Sequence, residues 1–174
     1  MKQGIKILIM GLPGAGKTWL AERLQQRLDC AWFNADNLRK QANDWEFGPE
    51  ARIRQAKRMA NVASFEKQEG RIVICDFVCP TEETRNIFQA DIVVWIDTIT
   101  EGRFSDTNKM FETPSRDVNF HVTEHLTEEG VDKMHMDIQL FQQEQLVRFE
   151  IDFNRPASSA NLNTTSGNLD EAWR

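Results

Sequence analysis

Apolar positions in this chain fall into short continuous runs, separated by charged stretches of helical period. Ile5 to Met10 is apolar apart from Lys6 and predicts a buried strand; after a glycine-rich turn, Trp19, Leu20, Leu24 and Leu28 recur at the spacing of one helix face, predicting a helix from Thr18 to Leu28. Ala31 to Asn34 predicts a second strand. Pro49 suits the first turn of a basic helix that runs to about Gln68, with Gly70 past its end. Ile72 to Cys75 is a third strand ending at Asp76, and Ile92 to Ile96 a fourth ending at Asp97. A short strand from Val118 to Val122 and a helix from Glu128 to about Phe149 complete the pattern.

Runs that are apolar at successive positions belong to strands covered on both faces, so the expected fold is α/β, a central parallel sheet between helix layers. The 174 residues suffice for one such domain, taken as residues 1–153. Residues 154–174 are polar and small, with too little apolar surface to offset ordering, and are expected to be a flexible tail.

Charge changes the picture of partners. The net charge of −6 is uneven: residues 1–97 hold 14 Lys/Arg against 13 Asp/Glu, and residues 98–174 hold 7 against 14. A long nucleic-acid groove is disfavoured, whereas local phosphate binding and a short DNA contact are not. Three cysteines, no leading basic-then-apolar segment and no apolar run near 18 residues point to a reducing, cytoplasmic, non-membrane setting. Cys75 and Cys79 read as buried small hydrophobes, and the three histidines lack the spacing of a zinc site.

The candidate chemistry begins between the first strand and the first helix. Gly11-Leu12-Pro13-Gly14-Ala15-Gly16-Lys17-Thr18 fits G-x-x-x-x-G-K-[ST], which would arise by chance in well under about one chain in a hundred of this length. Its glycines let backbone N–H groups wrap a phosphate at a helix N-terminus, Lys17 would reach the β- and γ-phosphates of ATP, and Thr18 would coordinate Mg²⁺. A guanine-specific switch would need N-K-x-D; Asn108-Lys109-Met110-Phe111 ends on the wrong residue. The chain is short for a motor ATPase, which leaves a kinase, and the expected fold is then α/β, a three-layer P-loop NTPase or nucleoside-kinase-like domain with a central parallel sheet.

A kinase must orient or deprotonate its acceptor, and carboxylates at the C-terminal ends of parallel strands are placed to do so. Asp36 follows the second strand and is a candidate general base or a helix cap; Asp76 is a candidate metal partner or a solvated strand end. Arg39 could hold an anionic acceptor, and Arg52, Arg54, Lys57 and Arg58 lie close together on the basic helix, where Arg54 and Lys57 are either a solvated face or functional. Phe47 is either a stacking ring or a core residue.

In combination, Gly11 to Leu20, Phe33 to Arg39, Asn43, Phe47 to Val62 and Phe77-Val78-Cys79-Pro80 resemble the adenylyl-sulfate kinases over roughly residues 5–112. That resemblance implies that Asp36 is the base for an acceptor 3′-hydroxyl, that Arg39 and Arg52 contact a sulfate–phosphate acceptor, and that Phe47 stacks on its adenine. It also implies a lid lysine at Lys109, an arginine near the ATP base at Arg103, and Phe77 on the acceptor side. Pro13 and Ala15 complete the nucleotide-binding loop. The chain departs from the family on that acceptor side: Gln55 replaces an asparagine, Cys79 a serine and Asp76 a small polar residue. Glu82 or Glu83 stands for an arginine, and the stretch around Glu112 to Arg116 is shortened.

The expectation is therefore an ATP- and Mg²⁺-dependent kinase acting on a small anionic nucleotide, most simply adenylyl sulfate. A nucleoside or a hydroxymethyl pyrimidine in DNA is the alternative acceptor, and a nucleotide-binding regulator without an acceptor is the alternative class. A homodimer is compatible with the sequence.

Overall fold

A computed structural model describes residues 4–116 and 118–153; the expected tail lies outside the described residues. In chain order the elements are β1 (Ile5–Gly11), α1 (Lys17–Arg27), β2 (Cys30–Asn34), α2 (Ala35–Ala42), α3 (Pro49–Gln68), β3 (Ile72–Asp76), α4 (Glu82–Phe88), β4 (Ile92–Ile96), α5 (Ser105–Met110), β5 (Phe120–Val122) and α6 (Glu128–Phe153). The five strands form one all-parallel sheet in the order β2-β3-β1-β4-β5.

Burial explains where the apolar runs were continuous. Every residue of β1 and β3, at the centre of the sheet, is buried, whereas β4 alternates and the edge strand β2 is half-covered beyond Cys30. On one face, Ile5, Ile7 and Ile9 pack with Leu20 and Leu24 of α1 and with Val131 and Ile138 of α6. On the other, Leu8, Met10, Val73 and Cys75 pack with Ala56, Met59 and Ala63 of α3 and Phe88 of α4. Lys6 is accommodated on that second face because its ammonium donates to Phe88 O at 2.6 Å.

Several boundaries shift from the expected ones. The first helix begins at Lys17 and ends at Arg27, β2 takes in Cys30, and α6 continues to Phe153. Pairing in β5 begins only at Phe120, because Asn119 turns its side-chain oxygen to the backbone N–H of Val93 at 2.8 Å. The cap of α2 is Asn34, whose side chain accepts from the N–H groups of Asp36 and Asn37, so Asp36 is relieved of the capping role offered to it.

The strands all end on the same side as the loop joining β1 to α1. Gly11 is required at that exit: its φ is +149°, and a Cβ there would lie 2.3 Å from Ile96 O of the neighbouring β4.

Candidate active site

The loop from Leu12 to Gly16 closes on itself through Ala15 N–H to Leu12 O at 3.1 Å, and Thr98 clamps it by donating to Ala15 O at 2.7 Å. Gly16, with φ +108°, turns the chain into α1. The amide groups of a helix N-terminus are thereby aimed into the space at the strand ends. Lys17 folds back over the loop and donates to Leu12 O at 2.8 Å. Burial pulls its ammonium down to about 8, against the opposing charges of Asp76 and Asp36.

Beside it, Asp76 at the end of β3 is only 2% exposed and receives three donors. The Thr18 hydroxyl donates to its Oδ2 at 2.7 Å, the Asn34 amide to the same oxygen at 3.0 Å, and the Trp32 indole N–H to Oδ1 at 2.7 Å. Burial pushes this carboxyl above the usual carboxylate range, while the bonds from Trp32, Thr18 and Asn34 pull it back. β2 and β3 pair with Trp32 opposite Ile74 and Asn34 opposite Asp76, which brings both donors to one carboxylate.

These groups form one wall of a cavity of about 640 Å³ whose lining includes Pro13, Gly14, Lys17, Thr18, Asp36 and Asp76. Arg39, Phe47, Arg52, Phe77 and Arg103 line it too. Of the residues singled out in the sequence, Lys109 stays apart: it is exposed on α5 and is not in the cavity wall. Gly11, Ala15 and Gly16 shape the loop behind that wall.

The two arginines expected on the acceptor side are anchored by the fold. Arg39, buried on α2, donates from Nη1 to Asp44 O at 3.2 Å and Glu46 O at 2.7 Å, and its guanidinium lies 4.6 Å over the Phe47 ring. Arg52, buried on α3, donates to Phe47 O at 2.9 Å and Thr107 Oγ1 at 2.6 Å. Each guanidinium carries five N–H donors, so both keep donors for a ligand. Arg54 and Arg58 are occupied by Asp44, and Arg54 by Glu46 as well. Phe77 sits edge-on to Phe88 with centroids 5.5 Å apart, a wall residue with its ring in the core.

The departures noted in the sequence have structural counterparts. Gln55 is buried with both ends of its amide used, Nε2 on Ala35 O and Oε1 by Arg58. Arg85, the arginine that does follow Pro80, is not in the cavity wall and is bonded to Glu82, Cys79 O, Pro80 O and Glu112 O. Cys79 takes a φ of +45°, unusual for a residue with a side chain, and burial pushes its thiol up to about 12. A smaller cavity of about 350 Å³ lies on the other side of the phosphate loop, lined by Gly16, Trp19, Thr98, Glu124, His125 and Leu126 among others.

Residues 3–101 match the protein family described as adenylylsulphate kinase. The chain belongs to the adenylylsulphate kinase family. The matched span of this family member holds the phosphate loop, Asp36, both arginines and Asp76, and stops before α5. A probable adenylyl-sulfate kinase of Aeropyrum pernix is 35% identical over 96 residues, which cover 50% of this chain and 51% of that protein. A shikimate kinase of Corynebacterium glutamicum is 30% identical over 101 residues, 55% of this chain and 59% of that one. The chain thus spans about half the length of the curated relatives it matches. In fold it is similar to an APS kinase of Mycobacterium tuberculosis solved in complex with AMPPNP and APS, with a TM-score of 0.64, 18% identity, and coverage of 83% of this chain and 99% of that one.

Sequence reasoning missed Trp32, Asn34, Trp45 and Thr107. Asn34 carried a signal, an asparagine directly before a helix with acid in its first turn. Trp32 carried none, since its role depends on the β2–β3 register.

Proposed function

We propose that this chain transfers the γ-phosphate of ATP to a hydroxyl of an anionic nucleotide-type acceptor, with adenylyl sulfate the first candidate. The observation that carries the reading is the convergence of Lys17, Thr18, Asp36 and Asp76 on one cavity that also holds Arg39 and Arg52. In this reading the triphosphate lies along the loop, with its nucleoside in the smaller cavity beyond Gly16 and the acceptor in the larger one. Asp36 takes the proton of the acceptor hydroxyl as its oxygen bonds to the γ-phosphorus, and the bond to the β-phosphate oxygen breaks, leaving ADP. Lys17 moves from Leu12 O to the β- and γ-oxygens, where it meets the charge that develops there. Arg39 and Arg52 offer their remaining donors to the acceptor's anionic groups, Phe77 completes the wall, and Arg103, expected near the ATP base, lines this larger cavity and not the smaller one.

The site suits Mg²⁺: Thr18 Oγ1 and Asp76 Oδ2 are hard oxygen donors 2.7 Å apart, and a magnesium ion asks few protein ligands when phosphate and water supply the rest. Bound there, Mg²⁺ would neutralise phosphate charge.

The engaged Gln55, and Arg85 bonded elsewhere, favour a second reading, in which the same transfer serves another hydroxyl, such as a nucleoside or a hydroxymethyl pyrimidine in DNA. Incubation with γ-labelled ATP and, separately, adenylyl sulfate, nucleosides, hydroxymethylated DNA and shikimate tests both. Label on adenylyl sulfate supports the first reading, and label on another acceptor alone supports the second. ATP binding with no transfer to any of them would favour a regulator. A reducing cytoplasm fits the three free, buried cysteines, and no helix among the described residues is long and apolar enough to cross a membrane.

A further inference from the structure

Large exposed aromatic rings are scattered over many proteins and usually mean nothing individually. Phe65, 61% exposed on α3, is such a ring, since it lines neither cavity. Trp45 is different. It is 53% exposed, it lines the larger cavity together with Phe47, and among the described residues no ring or cation stacks on it.

The loop that carries it is held in place. Trp45 and Phe47 are two apart in a segment without helix, and both line the larger cavity. Three hydrogen bonds from buried arginines fix the carbonyls around them: Arg39 to Asp44 O and Glu46 O, and Arg52 to Phe47 O. Arg39 also covers one face of Phe47, which leaves the other face and the whole of Trp45 toward the cavity. A rigidly mounted aromatic pair beside two cations offers a flat, apolar surface next to an anion site. That combination suits a base joined to a phosphate or sulfate and is wasted on a polyol or a carboxylated ring.

We propose that Trp45 is a specificity-determining residue of the acceptor site, a second stacking surface beside Phe47 that selects an aromatic base carrying an anionic group. This rests on the larger cavity being the acceptor side of a kinase, but it can fail separately.

The test uses the full chain and two probes, AMP and ribose 5-phosphate, which share the phosphoryl sugar and differ in the base. Calorimetric titration of the wild type, Trp45→Phe, Trp45→Leu and, as a control off the cavity, Phe65→Ala should show AMP weakened about tenfold by Trp45→Leu. Trp45→Phe should stay within a few-fold of the wild type, and ribose 5-phosphate should bind all four proteins alike. Equal AMP affinity in the wild type and Trp45→Leu, or equal weakening of both probes, overturns the proposal, as does a wild type that does not bind AMP. Phosphoryl transfer to adenylyl sulfate is assayed in parallel. If this transfer is absent while the AMP pattern holds, adenylyl sulfate is not the acceptor and the stacking role stands; if transfer occurs and the pattern is absent, adenylyl sulfate is the acceptor and the stacking role falls.

Discussion

Trp32 donates its indole N–H to Oδ1 of Asp76 at 2.7 Å and so leaves Oδ2 to Thr18 and Asn34. A buried carboxylate is costly unless its lone pairs are met, and here an edge strand supplies a donor that solvent cannot.

Trp32→Phe keeps the ring and removes that donor. Stability should fall by about 1–3 kcal/mol in urea titrations at neutral pH. Burial already holds the Asp76 carboxyl above its ordinary value of 3.8, and losing a donor raises it further. A carboxyl raised on folding is penalised as pH climbs through its titration, so the variant's deficit should be small at the acid end and grow toward neutrality. A deficit independent of pH would disconnect Trp32 from the carboxyl's charge.

Asp36 is exposed at the start of α2, with no capping duty, and stands in the cavity wall. If it removes the acceptor proton, Asp36→Asn should cut kcat by about 10²–10⁴ while leaving nucleotide affinity within a few-fold. Single-turnover kinetics alongside a nucleotide binding titration check this, and full activity in the variant would assign the proton elsewhere.

Much of this is legible in the sequence alone. Ile5 to Met10, Ile72 to Cys75 and Ile92 to Ile96 announce strands because a sheet covered by helices on both faces needs apolar residues at successive positions. Gly11 to Thr18 announces its loop because few sequences can wrap backbone amides round a phosphate. What was hidden depends on register and on short elements. α4 and α5 span seven and six residues, too few to show a helical period. The convergence of Trp32, Asn34 and Thr18 on Asp76 follows from which strand lies beside β3. Arg39 and Arg52 were legible as cations near an acceptor, but not as the clamps of the loop that bears Trp45 and Phe47, since their partners are carbonyl oxygens that no residue type advertises.

Lys17 gives a pH dependence of the same origin and the opposite sign. Burial lowers its ammonium from 10.5 to about 8, so between those values the unfolded chain holds a proton that the folded one has lost. Folding stability therefore carries a penalty below pH 8 that is relieved as pH rises toward 10.5. Lys17→Met should abolish phosphoryl transfer and be at least as stable as the wild type at pH 7. Thermal melts should show its advantage shrinking as pH rises above 8. A variant less stable than the wild type throughout would mean that the bond to Leu12 O outweighs the cost of burying the charge.

Thr107 links the two sides of the larger cavity. Its hydroxyl, on α5 and 2% exposed, accepts from Arg52 Nη2 at 2.6 Å, while Arg52 Nε holds Phe47 O at 2.9 Å. One guanidinium thus ties α5, which follows Arg103 and Phe104, to the loop that mounts the aromatic pair. Thr107→Val preserves shape and removes the acceptor, leaving a buried charged donor short of a partner. Asp106, exposed and 3.9 Å from Nη2, is too distant to substitute. The expected cost is about 1–3 kcal/mol of stability, and the kinetic effect should be selective. KM for the acceptor should rise severalfold as Arg52 loosens and Phe47 with it, whereas KM for ATP, which the proposed reading places along Gly14 to Thr18, should hold. Thr107→Ser, which keeps the hydroxyl, should restore the acceptor KM. If valine and serine behave alike, or if both KM values rise together, the contact is packing alone and Arg52 does not transmit the position of α5 to the acceptor.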